Sequence, residues 1–225
     1  MKKLCLSLLA AAALTFTACL DIVEEITLKA DGSGQYVMSV DMAEMMQMMM
    51  AFMPDSVKEN MDEQTMMDSL SAMTNTQEMD SIADVLNAMN GISRATSRME
   101  GFVMVISYDF ANVDALNEAA TQNSFTSQQG LRPANYSWKK GVFARSFNKM
   151  DFGSDEDAED MAMAKMMMKE ATFTTVYNLP GEVKKVTNSE ARLSNGKKTV
   201  VLERSLGEIF DKPELMSNEI KFKAK

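Results

Sequence analysis

The sequence DIVEEITLKADGSGQYVMSVD, residues 21–41, sets the pattern for the rest of the chain. Apolar side chains recur at every second position on either side of the turn Asp31-Gly32-Ser33-Gly34, which is the period of a β-strand with one buried face. These positions are Ile26, Leu28 and Ala30 before the turn and Tyr36, Met38 and Val40 after it. We therefore predict a β-hairpin whose first strand covers residues 21–30. Two glycines without a following helix favour this hairpin over a phosphate-binding loop.

The segment before the hairpin has the parts of an export signal. Lys2 and Lys3 precede an apolar run over residues 4–14, which is too short to span a bilayer, and the run closes at Phe16-Thr17-Ala18-Cys19. This arrangement resembles bacterial lipoprotein signals, in which a small residue precedes a cysteine that is diacylated and becomes the mature N-terminus. The resemblance implies a signal peptide over residues 1–18 and a lipid anchor at Cys19. The alternative is ordinary signal cleavage that leaves Cys19 as a free thiol.

Composition limits the chemistry that the chain can perform. It contains no histidine and two cysteines, Cys5 in the apolar run and Cys19 at its end. Without histidine there is no Ser-His-acid triad and no imidazole ligand, and after acylation of Cys19 no thiol would remain for a disulfide, a metal site or catalysis. The net charge of −9 disfavours nucleic acid and anionic lipid surfaces as partners. We therefore expect no enzyme, no cofactor and no metal.

A methionine-rich helical insertion follows the hairpin, over residues 41–90. Asp41 with Glu44 three positions later is a helix-start signature, and Pro54 marks the end of that helix. At about 100° per residue its apolar side chains fall in one arc of the helix. The arc contains Met42, Met45, Met46, Met49, Met50, Phe52 and Met53. Further capping signatures predict two more helices, the last ending at Gly91 with Met79, Ile82, Ala83, Leu86 and Met89 buried.

Several interpretations of the methionine arc stay open. The chain has 24 methionines, and a flexible thioether can simply replace leucine in a core. A partly open arc would instead repack around an acyl chain or an amphipathic helix. In that case the ligand-binding residues are Met42, Met45, Met46, Met49, Met50 and Met53. The same spacing could supply thioether ligands for Cu(I) or Ag(I), or sulfur atoms for sacrificial oxidation.

The remainder of the chain mixes strands and helices. Period-two patterns predict strands within residues 92–110, 136–147, 173–203 and 220–224, with turns at Gly101, Gly141 and Asn195-Gly196. Capping residues predict helices that start at Asn112 and Ser205, and a further Met-rich helix is expected over residues 155–171. We therefore predict one α+β domain over residues 19–225. In it, an antiparallel β-sheet carries Met-rich amphipathic helices inserted between hairpins and packed on one face.

Two aromatic residues, Tyr136 and Trp138, share one face of a predicted strand. Such a pair could stack on a sugar. However, Ser137 and Lys139 supply the polar face of the same strand, which favours packing of both rings in the core.

The order of these features is similar to that of lipoproteins with an LppM-type domain. The residues that carry this resemblance are the strand into Asp31-Gly32-Ser33-Gly34, the segment Tyr177-Asn178-Leu179-Pro180-Gly181-Glu182-Val183 and the hairpin at Asn195-Gly196. The resemblance implies an α+β envelope domain that binds polar lipids.

One expected function follows from the leader and the methionine arc. We expect a non-enzymatic cell-envelope lipoprotein, held to a membrane through Cys19, that binds an amphipathic lipid or a partner protein over its methionine-lined helices. A Met-based Cu(I)- or Ag(I)-binding envelope protein and a purely structural lipoprotein are the alternatives. Leu20 rather than Asp follows the cysteine, which resembles lipoproteins of the outer membrane, so we expect that location.

Overall fold

The computed structural model describes residues 20–44, 46, 76–122, 135–139, 141–146 and 171–223. The strands are β1 (Asp21–Leu28), β2 (Gly34–Asp41), β3 (Ile92–Glu100), β4 (Val103–Phe110), β5 (Asn135–Lys139), β6 (Val142–Ser146), β7 (Thr172–Asn178), β8 (Val183–Val186), β9 (Arg192–Ser194), β10 (Thr199–Ser205) and β11 (Asn218–Phe222). The helices are α1 (Thr76–Ala88), α2 (Val113–Gln122) and α3 (Leu206–Asp211), and a 3₁₀ turn spans Pro213–Met216. The predicted α+β class with mainly antiparallel strands is confirmed.

Sheet A has the strand order β3-β4-β2-β1-β7-β10-β9 and places the predicted hairpin at its centre. β1 and β2 pair along their whole length. The first strand ends at Leu28, and Ala30 is exposed in the turn, so the prediction that Ala30 is buried is wrong. The reason lies in the turn, where the Lys29 N–H donates to the Ser33 carbonyl at 2.8 Å and takes the chain out of the strand before Ala30.

One strand pairing in sheet A departs from the predicted antiparallel arrangement. β1 pairs in parallel with β7, from Asp21 opposite Thr172 to Thr27 opposite Asn178. β10 then pairs antiparallel with β7, which makes sheet A mixed. Parallel strands need a long connection, so no local turn sequence reveals this pairing.

Sheet B has the order β5-β6-β11-β8 and packs against one face of sheet A. Phe143 of β6 lies against Tyr177 of β7, with ring centroids 5.4 Å apart. At the β1–β2 turn, a Cβ added to Gly32 would come within 2.9 Å of the Trp138 indole. Buried apolar side chains from both sheets form one continuous core. The two sheets therefore share a hydrophobic interior.

Helix α1 packs on β3 and is followed by Gly91, whose φ of 81° suits the predicted helix end. The prediction for its buried face is only partly right. Leu86 is buried, whereas the other described members are half-buried: Ile82, Ala83 and Met89. Helix α2 packs on β5, β3 and β4. Its predicted cap is present, because the Asn112 side-chain oxygen accepts from the Ala115 N–H at 2.9 Å.

Several predicted features lie outside the described residues. They are the signal peptide, most of the methionine-rich insertion and, apart from Ala171, the helix expected over residues 155–171. In the described part of the chain, no helix has both the length and the apolar character that crossing a membrane requires.

Candidate functional site

The described start of the methionine-rich insertion packs over the β3–β4 connection. The Asp41 carboxylate accepts from the Ala43 N–H at 2.9 Å, and the Met42 N–H donates to the Phe102 carbonyl at 3.1 Å. The Met46 N–H then donates to the Met42 carbonyl at 3.0 Å, which is the bond of an α-helical turn. A helical turn therefore begins where the capping signature predicts it.

Met42 and Met46 are both buried, each with 8% of its surface exposed. Met42 belongs to the main core, whereas Met46 packs against Met99 and Phe102 in a smaller group of its own. We call Met46, Met99 and Phe102 the methionine cluster. Thioether chains are unbranched and polarizable, so such a group can repack around different apolar partners. Met46 is the member of the arc that belongs to this cluster, so the described part of the arc extends beyond the main core there.

The remaining predicted site residues lie outside the described residues: Cys19, Met45, Met49, Met50 and Met53. Of the candidate ligand-binding methionines, the structure therefore places two, Met42 and Met46, one helical turn apart. Their burial agrees with the core interpretation at these two positions. A binding role for the arc, and lipidation of Cys19, stay predictions.

A buried ion pair connects the two sheets and was not predicted. Glu24 of β1 and Arg145 of β6 are 5% and 3% exposed, and Arg145 Nη2 lies 3.1 Å from Glu24 Oε2. The Tyr36 hydroxyl donates to the same carboxylate oxygen at 3.5 Å. The guanidinium also lies over two aromatic rings, 5.9 Å from the centroid of Tyr136 and 5.3 Å from that of Phe173. Contacts of this kind compensate the guanidinium and the carboxylate for their loss of water.

A weak signal for this pair is present in the sequence. Glu24 lies on the same face of β1 as the buried Ile22 and Ile26. Arg145 lies on the same face of β6 as the buried Phe143. A charged residue at a buried position of an alternating strand is expected to have a charged or hydrogen-bonding partner. The partner cannot be identified locally, because it lies 121 residues away.

The surroundings of the pair shift several ionisation equilibria. Burial raises the pKa of the Tyr36 and Tyr136 phenols well above their usual value, and the Glu24 carboxylate raises it further. Burial raises the pKa of Tyr177 to about 12, although Arg145 opposes the shift. Burial alone would lower the pKa of Arg145, but the adjacent Glu24 carboxylate raises it above the usual value. Near neutral pH these phenols are therefore neutral and the guanidinium is charged, which suits a structural role.

A cavity of about 370 Å³ lies beside sheet B. Most of its lining residues carry hydroxyl, amide or carboxylate groups, among them Asn135, Ser137, Ser146, Thr187, Asn218 and Glu219. Several of these groups already have hydrogen-bond partners within the protein. The Ser146 hydroxyl donates to the Asn135 carbonyl at 3.4 Å, and the Asn218 side-chain oxygen accepts from the Thr187 N–H at 3.2 Å. Among the described residues, no three Asp, Glu, His or Cys side chains come together as metal ligands.

The two aromatic residues singled out in the sequence pack inside the molecule. Tyr136 is 5% exposed and stacks on Phe143, with ring centroids 5.9 Å apart. Trp138 is half-buried and packs against Phe222 at 5.4 Å. The predicted core packing is therefore observed for Tyr136, which offers no free face to a sugar.

Comparison of the chain with known proteins gives a distant structural similarity. No protein-family model matches the chain, and no curated protein matches it. Among solved structures, the chain is similar to the folded domain of the LppM protein of Mycobacterium tuberculosis, determined by NMR. The two have 11% sequence identity and a TM-score of 0.45, over 92% of this chain and 91% of that one. At this level of similarity no residue role is transferred.

Proposed function

We propose that the chain is a non-enzymatic cell-envelope lipoprotein, anchored in a membrane through Cys19. The proposal rests on the leader, in which two lysines, an apolar run and Ala18 precede Cys19. Structure follows the cysteine without a linker, because the Leu20 carbonyl accepts from the Thr172 N–H at 2.8 Å and β1 begins at Asp21. Acyl chains on Cys19 would thus hold the first strand of sheet A close to the membrane surface.

The strength of such an anchor follows from its apolar length. Each buried CH₂ group contributes roughly 0.8 kcal/mol, so two or more acyl chains give durable attachment where one does not. The outer membrane is the proposed location, because Leu20 rather than Asp follows the cysteine. The soluble part of the protein would remain in water beside that membrane.

Replacement of the anchor residue tests this proposal. We expect Cys19→Ala to move the protein from the membrane fraction to the soluble fraction, as measured by cell fractionation and immunoblotting. The matched control is Cys5→Ala, which changes the other cysteine of the leader and should leave the protein in the membrane fraction. Intact-mass analysis should find acyl groups on the N-terminal residue of the wild type. Membrane retention of the Cys19→Ala variant, or an unmodified terminus, would contradict the anchor.

We further propose that the domain binds an amphipathic ligand, a lipid or a partner protein, over the methionine-lined surface that begins at Met42 and Met46. The methionine cluster supports this proposal, because Met46 packs with Met99 and Phe102 rather than with the main core. A small apolar group beside the core can exchange its packing partners without unfolding the sheets.

A pair of variants at Met46 tests the binding surface. Met46→Gln keeps the length of the side chain and adds a polar amide, whereas Met46→Leu keeps the position apolar. We expect natively purified protein to carry bound lipid or a co-purifying chain, identified by mass spectrometry. The Gln variant should carry less of it, and the Leu variant should carry an amount close to that of the wild type. Equal amounts in both variants, or no bound molecule in the wild type, would contradict the proposal.

A further inference from the structure

The outer face of sheet B carries a row of lysines that crosses its strands. Lys139 of β5 is paired with Val142 of β6, Val142 with Lys221 of β11, and Lys221 with Lys185 of β8. All three lysines are exposed. Adjacent strands lie about 4.8 Å apart, so residues paired across them on one face are close neighbours. We call Lys139, Lys185 and Lys221 the lysine row.

Within the part of the chain that the structure describes, ion pairs do not neutralise the charge of the lysine row. None of its three members forms an ion pair with a described residue. Glu219 lies two residues before Lys221 in β11, and Lys223 lies two residues after it, just past the end of the strand. Both are exposed. The nearby Glu182 already pairs with Lys184 at 3.8 Å. Like charges placed opposite each other destabilise a sheet, so the row is expected to have an anionic counterpart.

The whole-chain charge hides this local excess. The chain has a net charge of −9, which by itself disfavours an anionic surface as a partner. The row crosses the four strands of sheet B. With strands about 4.8 Å apart, Lys185 lies about 5 Å from Lys221, Lys221 lies about 10 Å from Lys139, and the two ends of the row are about 14 Å apart, so each lysine is within about one Debye length of the next at 0.1 M salt. They therefore act together on a nearby anion, whereas the acids elsewhere on the surface are largely screened from it.

The lysine row lies at the end of the molecule opposite to Leu20. Trp138, the neighbour of Lys139 in β5, packs over Gly32 in the β1–β2 turn. That turn follows the far end of β1, whose first residue is Asp21. With a rise of about 3.3 Å per residue, the row is roughly 20 Å from the point where the anchor joins the sheet. Contact of both Cys19 and the lysine row with one membrane therefore requires the domain to lie with β1 roughly parallel to the membrane surface.

We propose that the lysine row is a second membrane contact, which binds the phosphate groups of anionic lipids in the membrane that holds the Cys19 anchor. This inference rests on the proposed lipid anchor. Acyl chains at one end and lysines at the other would fix the orientation of the domain, with the outer face of sheet B against the headgroups. Basic side chains commonly strengthen a lipid anchor in this way.

Amine footprinting of the full acylated protein tests the orientation. The protein is added to preformed vesicles of phosphatidylcholine, with or without phosphatidylglycerol, and the acetylation rate of each lysine is measured by mass spectrometry. We expect Lys139, Lys185, Lys221 and Lys223 to react several-fold more slowly on the vesicles that contain phosphatidylglycerol. Exposed Lys212, which follows α3, is the internal control and should react equally on both. High salt should remove the difference, because it screens the lysine charges.

A variant separates binding by the lysine row from a general effect of the vesicle. In the triple variant with Lys139→Gln, Lys185→Gln and Lys221→Gln, Lys223 should react on anionic vesicles as fast as on neutral ones. If the inserted protein shows equal acetylation rates for the row on both vesicle types, the lysine contact is wrong. The anchor would be unaffected by that result. Slower reaction of Lys212 to the same degree would also overturn the lysine contact. Failure of the wild-type protein to insert into either vesicle would overturn the anchor, and the lysine contact with it.

Discussion

The contribution of Arg145 depends on the carboxylate that it faces. Its guanidinium and the Glu24 carboxylate have 2% and 6% of their side-chain surfaces exposed. Removal of one partner leaves an uncompensated charge in the core, whereas replacement of both by apolar groups of similar volume can be neutral. We expect Arg145→Met to lower the free energy of unfolding by about 3–5 kcal/mol. The double variant Glu24→Met with Arg145→Met should recover most of that loss, as measured by urea denaturation.

An exposed ion pair provides the control for this prediction. Arg192 and Glu203 lie 2.8 Å apart, but 68% and 50% of their side-chain surfaces are exposed. Water screens such a pair, so Arg192→Met should change the free energy of unfolding by less than about 1 kcal/mol. If the double variant in the core is as unstable as Arg145→Met alone, the buried pair itself would be strongly stabilising. The explanation from an uncompensated charge would then be wrong.

Individual residues differ in how well the sequence predicts them. Asn112 and Ser205 were predicted as helix caps, because a capping side chain bonds to an N–H two or three residues later. Glu24 and Arg145 were not predicted as a pair, because nothing near either residue specifies the other. Of the candidate ligand-binding methionines, only Met42 and Met46 lie in the described residues. The structure therefore tests the predicted site at these two positions only.

At the scale of elements, a helix protects the edge of sheet B. The Asn117 amide of α2 donates to the Tyr136 carbonyl at 2.9 Å, and its oxygen accepts from the Tyr136 N–H at 2.7 Å. The side chain thus replaces a neighbouring strand at β5, which is an edge strand. Asn87 of α1 bonds in the same way to both backbone groups of Ala95 in β3. Each asparagine joins a helix to a strand edge.

Loss of the Asn117 amide should loosen this edge. Asn117→Ala leaves the N–H and carbonyl of Tyr136 without their partners, so we expect the free energy of unfolding to fall by about 1–3 kcal/mol. Hydrogen exchange at the Tyr136 amide should become faster than in the wild type. Glu118→Ala changes an exposed residue of the same helix and should shift stability by less than about 0.5 kcal/mol. Unchanged exchange at Tyr136 would show that the asparagine does not protect this edge.

The elements that the sequence predicts well are those with local signals. The hairpins at Gly101, Gly141 and Asn195-Gly196 are present, because each turn follows a strand and contains a residue with positive φ. The parallel pairing of β1 with β7 was not predicted, because it joins segments about 150 residues apart that share no turn. The division of the strands into two sheets was missed for the same reason. It depends on which faces meet, whereas periodicity shows only that each strand has a buried face.

At the scale of the whole molecule, the two sheets should unfold together. Their buried residues form one core, and Glu24–Arg145 and Tyr177–Phe143 are contacts between the sheets. Trp138 is the single tryptophan of the chain and lies in sheet B. Its fluorescence therefore reports on sheet B, whereas most of the described strand residues that give the far-UV circular dichroism signal belong to sheet A. We expect both signals to have the same denaturation midpoint.

The contact between Gly32 and Trp138 allows a sharper form of this prediction. Gly32 has φ +87°, and its Cβ would lie 2.9 Å from the indole, so Gly32→Ala adds both backbone strain and a clash. Gly101 has φ +62° with nothing within 4 Å of its Cβ position, so Gly101→Ala adds the backbone strain alone. That strain costs about 1–2 kcal/mol. We expect Gly32→Ala to be the less stable variant and to shift the emission of Trp138. Because the sheets share one core, its fluorescence and circular dichroism midpoints should still be equal. A fluorescence midpoint below the circular dichroism midpoint would instead mean that sheet B unfolds separately from sheet A.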